Sequence, residues 1–237
     1  GDMGLVSQVF DETALSQLTG HIAIGHNRYS TTGSSRKVNT QPLLVGSGNN
    51  ILALSHNGNI VNAEHLYREL CDAGFIFHTT TDSEVIAHLI LSAPSLDWVE
   101  RLRYAMHRLQ GAFSLTLLTR DTLFAVRDPW GVRPLCLGKL NGGWVVASES
   151  CALDHIGATL IREVEPGEIL KISANGVESF REPVTRRALC IFEYIYFARP
   201  DSIINGKLVY PTRLAMGANL ALEYPVDADM VMGVPDS

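Results

Sequence analysis

The sequence is poor in cysteine and scatters what it has: Cys71, Cys136, Cys151 and Cys190 are the only four in 237 residues, with no C-x-x-C pair. That spacing argues against a zinc site made within the chain and against a secreted disulfide framework, and it favours a reducing, cytoplasmic setting. No apolar run approaches the roughly 18 residues a membrane span needs, and the start of the chain has neither a basic leader nor an apolar core segment, so no membrane partner is expected. Positive charge is scarce too. Nineteen Lys+Arg stand against 25 Asp+Glu for a net charge of −6, with no basic patch, which makes nucleic acid an unexpected partner. Repeats and low-complexity linkers are absent. What remains is 46% apolar and 19% charged residues with 20 Gly and 10 Pro, an ordinary globular composition. A chain this long buries roughly 70% of its unfolded surface and needs no covalent staple.

Strand-like and helix-like segments alternate in blocks. Ile22-Ala23-Ile24-Gly25-His26 and Ile51-Leu52-Ala53-Leu54-Ser55-His56 read as buried strands ending in polar clusters. Asn62 is placed to cap a helix whose Ala63, Leu66, Leu70 and Ala73 share a face, with Glu64 and Arg68 paired at i,i+4 and Gly74 as its stop. Thr81-Asp82-Ser83-Glu84 has capping-box spacing and opens a second helix carrying Val85, Ile86, Leu89 and Ile90 before Pro94; a third runs from Asp97 to about Leu109. From 112 to about 181 the pattern turns to β, with strands expected at 112–119, 123–127, 135–139, 144–148 and 167–172 and a turn at Asp128-Pro129-Trp130-Gly131. The spacing is too tight for crossover helices, so the expected class is α+β and not a doubly wound parallel sheet. Beyond Pro183 come an aromatic stretch, a helix with Pro211 in its first turn that ends before Pro225, and a final strand over Met230–Val234.

Three polar clusters hold the chemistry: Gly25-His26-Asn27-Arg28-Tyr29-Ser30-Thr31-Thr32-Gly33, Ser55-His56-Asn57-Gly58-Asn59 and Thr79-Thr80-Thr81-Asp82-Ser83-Glu84. Together they suit an amino-acid ligand. Arg28 forks onto an α-carboxylate, Asp82 accepts from an α-ammonium, and Asn57 with the Gly58 N–H points donors at a carbonyl oxygen. Plainer readings stand beside these: Asp82 serving its helix N-terminus, Asn57-Gly58 making a hairpin turn, Arg28 in a surface ion pair.

These stretches, with Cys190-Ile191-Phe192-Glu193-Tyr194-Ile195-Tyr196-Phe197-Ala198-Arg199-Pro200-Asp201-Ser202, resemble the amidophosphoribosyltransferases, glutamine-using enzymes that commit phosphoribosyl pyrophosphate to purine synthesis. The first three motifs are shared more loosely by all class II glutamine amidotransferases; the aromatic segment is characteristic of this family. Arg127-Asp128-Pro129-Trp130-Gly131-Val132-Arg133-Pro134-Leu135 and Ala147-Ser148-Glu149-Ser150 resemble class-wide features, but a type I turn and a strand end account for them, and no catalytic role is assigned there.

The resemblance implies a four-layer αββα sandwich of antiparallel sheets, the N-terminal-nucleophile hydrolase fold. An N-terminal cysteine would attack the glutamine side-chain amide, its own α-amine would manage the protons, and the ammonia would travel inside the protein to Mg²⁺-bound phosphoribosyl pyrophosphate. Arg28 with Thr31 would hold the α-carboxylate, Asp82 the α-ammonium, and Asn57 with Gly58 the oxyanion. Residues 1–183 would be the glutaminase domain without its leading segment, and 184–237 a linker plus the first helix and strand of a phosphoribosyltransferase domain.

Residue 1 is Gly and none of the four cysteines can be an N-terminal nucleophile, so the chain reads as an inactive internal piece of a longer homo-oligomeric protein, dimer or tetramer. Cys190 matches a [4Fe–4S] ligand of cluster-bearing members, although cluster-free members also have cysteine there. Cys71, Cys136 and Cys151 read as core or half-buried residues. His26 and His56, with no carboxylate at a recognisable spacing, read as packing or hydrogen-bonding residues. The alternatives are a catalytically silent glutamine-binding module and another class II amidotransferase, such as a hexosamine-forming one.

Overall fold

The computed structural model describes residues 1–28, 36–184 and 186–233. In chain order the elements are α1 (Val6–Val9), α2 (Glu12–Ser16), β1 (Leu43–Ser47), β2 (Asn50–Ile60), α3 (Ala63–Asp72), α4 (Asp82–Ser92), α5 (Trp98–Arg108), β3 (Gly111–Leu118), β4 (Leu123–Arg127), β5 (Cys136–Leu140), β6 (Gly143–Ala147), α6 (Ser150–His155), β7 (Thr159–Glu163), β8 (Glu168–Ser173), β9 (Gly176–Arg181), β10 (Ile203–Ile204), β11 (Lys207–Leu208) and α7 (Val209–Glu223). The chain divides into two compact units. One joins Gly1–Arg133 to Val164–Ala188; the other joins Pro134–Glu163 to the residues from Leu189 onward.

The first unit is built on a six-stranded sheet in the order β1-β2-β3-β4-β8-β9, every pair antiparallel. Helix α4 packs against β1, β2, α3 and α5. That position explains why every residue from Ser83 to Ile90 is buried, where a surface helix would hide a single stripe; the apolar ones include Val85, Ile86, Leu89 and Ile90. These four share one core with Leu54, Phe113, Leu117 and Phe124. In the second unit, β6-β5-β7 form an antiparallel sheet on which Leu153 of α6 packs, close enough that a Cβ on Gly138 would sit 2.8 Å from its Cδ1.

The α+β class and the antiparallel pairing are as expected, and α3, α4 and α5 lie where their periodicity put them, whereas the short α1 and α2 were not expected. Several details differ. Residues 22–26 are not a strand: even-numbered side chains are half-buried and odd ones exposed, as in an extended segment, but no ladder pairs them among the described residues. Met230–Gly233 is likewise no strand, and it is exposed. Helix α6 and strands β7 and β9 were not expected individually. Asn62 does not cap α3; its Nδ2 donates to the Arg108 carbonyl at 2.9 Å and its Oδ1 accepts from Gln110 N at 3.0 Å, which ties the start of α3 to the end of α5. Thr81 makes no side-chain cap, and Glu84 reaches past it to accept from His78 N and Thr79 N. Asp97 caps α5 as expected, its Oδ1 accepting from Glu100 N at 3.0 Å.

Ile86 is fully buried one turn beyond Asp82. Ile86→Ala removes three carbons from this core and should cost about 2–5 kcal/mol, read as a lower urea midpoint at unchanged m-value.

Candidate functional site

Strand β1 pairs with β2 only from Leu43↔Leu54 to Ser47↔Asn50, so β2 from Ser55 to Ile60 has β3 on one side and, among the described residues, no strand on the other. Along this half-strand the N–H groups alternate. Val61 N, just past its end, donates towards β3, to the Gln110 carbonyl at 2.8 Å. On the opposite parity, His56 N donates to Gln41 Oε1 at 2.7 Å and Ile60 N to Asp82 Oδ2 at 3.1 Å, both away from β3. Gly58 lies between those two and shares their parity. Its partner across the ladder, Phe113, uses its own N–H and carbonyl on Asp128 on the β4 side, which makes Gly58↔Phe113 a pair without mutual hydrogen bonds. The Gly58 N–H is therefore directed at the open edge, between Gln41 and Asp82.

Asn57-Gly58 is thus strand interior, and the hairpin-turn reading is corrected: register places Asn57 opposite Ser114 and Gly58 opposite Phe113. The glycine is required by close approach. A Cβ there would sit 2.0 Å from the Ala112 carbonyl oxygen and 2.8 Å from His56 Nε2. On the other face of the strand, Asn57 Oδ1 accepts from Arg133 Nη2 at 3.0 Å.

Asp82 opens α4 with its side chain 9% exposed. Burial works against its ionisation, but the His56 side chain and the N–H groups of Ile60 and Ser83 outweigh that and hold the carboxyl below its ordinary range. His56 Nδ1 lies 3.7 Å from Asp82 Oδ1 and 3.3 Å from Ser83 Oγ, and Ser83 Oγ in turn accepts from Gln41 Nε2. His56 accordingly has the carboxylate neighbour that the sequence did not disclose. Asn39 completes the support, exchanging hydrogen bonds with Thr80 from its buried amide.

His26 and Arg28 fall on the half-buried side of their extended segment. Burial, then the neighbouring His56 and Arg28, pushes the His26 imidazole down to about 4. His26 thus has both His56 and Arg28 as electrostatic neighbours, and His56 in turn lies beside the Asp82 carboxylate. Thr31 lies outside the described residues. Cys190 is half-buried in the second unit, and among the described residues no three His, Cys, Asp or Glu side chains converge on one point, so it does not make a cluster site by itself. Cys136 and Cys151 are buried as expected, and burial pushes the Cys136 thiol up to about 12. Cys71 is exposed, contrary to expectation, because it faces away from the Leu66–Leu70 stripe of α3.

Gln41, Ser83 and Arg133 were missed as site residues. Ser83 and Arg133 lie inside quoted motifs but were given no role there, because their contacts are not local: Gln41 meets Ser83 across 42 positions and Arg133 meets Asn57 across 76.

Residues 26–155 match the glutamine amidotransferase domain family. The amidophosphoribosyltransferase of Synechococcus elongatus is 49% identical over 243 residues, covering 100% of this chain and 49% of that protein. The chloroplastic amidophosphoribosyltransferase 2 of Arabidopsis thaliana is 48% identical over 237 residues, covering 99% of the chain and 42% of that protein. The chain thus spans about half the length of the curated relatives it matches. Among solved structures, the glutamine phosphoribosylpyrophosphate amidotransferase of B. subtilis in complex with ADP and GMP superposes with a TM-score of 0.92 at 45% identity, covering 99% of this chain and 51% of that one.

A histidine held neutral in the fold but free to protonate when unfolded stabilises the protein above its unfolded pKa, and that stability is lost as pH falls towards the folded value. Stability should therefore decline from about pH 6.5 to about 4 through His26, and His26→Gln should flatten that limb in denaturation curves taken across the window.

Proposed function

The chain belongs to the glutamine amidotransferase family and has the antiparallel α+β fold of the N-terminal-nucleophile hydrolase type; from that premise we propose that it is the glutaminase portion of an amidophosphoribosyltransferase. In this reading Arg28, with Thr31, holds the α-carboxylate of glutamine, and Asp82 accepts from the α-ammonium with the lone pairs left after Ile60 N and His56. The side-chain carbonyl oxygen lies at the open edge of β2. Asn57 Nδ2 and the Gly58 N–H donate to it as a thiolate adds to the carbonyl carbon and the oxygen becomes anionic. The C–N bond then breaks, ammonia leaves with the proton that the α-amine returns, and water hydrolyses the thioester to glutamate and free thiol.

The observation that carries this reading is the direction of the Gly58 N–H, towards an edge that no strand among the described residues covers and beside a carboxylate held ionised. The nucleophile of such a reaction needs its own α-amine, which none of the four cysteines of this chain has. The ammonia is proposed to displace pyrophosphate from phosphoribosyl pyrophosphate on a phosphoribosyltransferase domain that begins within 184–237. Mg²⁺ belongs to that half. Cys190 would ligate a [4Fe–4S] cluster only with ligands from beyond the described residues. A cytoplasmic homo-oligomer, dimer or tetramer, completes the reading.

Two substitutions in the intact protein test the site. Asn57→Ala should lower kcat for glutamine by roughly 10²–10³ with KM nearly constant, because its donor matters most once the oxyanion forms. Asp82→Ala should chiefly raise KM, by the equivalent of about 1.5–3 kcal/mol for a lost charge-assisted contact. Both should leave ammonia-dependent synthesis intact. Loss of glutamine- and ammonia-dependent rates in equal proportion, in step with a lowered Tm, would show that these residues serve the fold alone.

A further inference from the structure

The segment from Arg127 to Arg133 has more structure than a turn needs. Asn57, Ser114 and Arg127 sit side by side on β2, β3 and β4, Asn57 opposite Ser114 and Ser114 opposite Arg127. All three bind one residue, Arg133. Its carbonyl accepts from Ser114 Oγ at 3.1 Å and from Arg127 Nε at 2.9 Å, while its guanidinium donates to Asn57 Oδ1 at 3.0 Å. Buried groups hold the chain in this path. The fully buried Asp128 carboxylate accepts from the N–H groups of Phe113, Trp130 and Val132, and Arg127 also donates to the carbonyls of Gly131 and Val164. Gly131 turns with φ +68°, where a Cβ would lie 2.6 Å from Pro166 Cγ.

An asparagine amide has nearly the same shape either way round, yet only one orientation serves an oxyanion: Nδ2 outward donates, whereas Oδ1 outward repels. A guanidinium carries donors and no acceptor, so only Oδ1 can face Arg133. We propose that Arg133 is the positioning residue of the oxyanion hole, locking the Asn57 amide so that Nδ2 is the end presented to substrate. The same hydrogen bond draws electron density from the amide and makes Nδ2–H a stronger donor. This inference rests on the assignment of Asn57 as an oxyanion donor.

The experiment compares glutamine- and ammonia-dependent rates of the intact protein with Arg133→Met, Arg133→Lys, Arg133→Gln, Asn57→Ala and the Asn57→Ala/Arg133→Met double variant, each with a melting curve. Arg133→Met should lower kcat for glutamine about 10-fold or more, leave KM within about twofold and spare the ammonia-dependent rate. The double variant should be no slower than Asn57→Ala, since Arg133 acts only through that amide. Lysine, which also only donates, should recover more activity than glutamine, whose amide can present either end; that pair decides the matter if Arg133→Met does not fold. A normal kcat in Arg133→Met or Arg133→Gln beside a slow Asn57→Ala would overturn the positioning role and leave the oxyanion hole standing. A normal kcat in Asn57→Ala would overturn both. Equal loss of the two activities, tracking the melting curve, would make Arg133 a purely structural residue.

Discussion

Pairing between β1 and β2 ends at Leu43 opposite Leu54, and from Ser55 onward β2 has, among the described residues, a strand neighbour on one side only. An edge of this kind exposes N–H groups that must find partners or remain costly. Here side chains supply the partners: Gln41 takes His56 N and Asp82 takes Ile60 N, which leaves the intervening Gly58 N–H directed at the gap. Most of the site follows from that geometry. Asp82 must lie beside β2 to accept from Ile60, so α4 must begin there, and Asn39 and Glu84 fasten the preceding turn through Thr80, His78 and Thr79.

The other face of the half-strand is organised by buried polar groups. Burial pushes the Asp128 carboxyl up while backbone N–H groups from Val132, Trp130, Phe113 and Arg133 pull it down, and burial prevails. A carboxylate in such a place is tolerated because it is saturated with donors, and its removal would leave several N–H groups unpartnered at once. The energetic reason for keeping it is geometric. It and Arg127 fix a chain reversal whose product is Arg133 lying across the Asn57–Ser114–Arg127 row.

The two faces set different electrostatic conditions. His56 stands beside Asp82, and His56 and Arg28 are both neighbours of His26, which burial keeps neutral at ordinary pH, so that its charge does not compete with Arg28 for an anion. Around Asn57 a single guanidinium acts through a neutral amide.

Helices α3, α4 and α5 were legible from the sequence, because apolar period, Gly74, Pro94 and the Asp97 cap are local signals that agree with the final packing. The motif residues Arg28, Asn57, Gly58 and Asp82 were legible as a set of chemical types. Their arrangement was not. Asn-Gly is a turn signal by local rules, and only pairing with Ser114 and Phe113 makes it strand. Ile22 to His26 looked like a strand because its residues favour extension, yet a strand also needs a neighbour. The sequence by itself determined which segments bury apolar surface and which chemical types its polar clusters bring together. The tertiary structure decided which N–H groups stay open and which way an amide points, because those depend on register and on contacts such as Arg133 with Asn57, 76 positions apart, that no local period encodes.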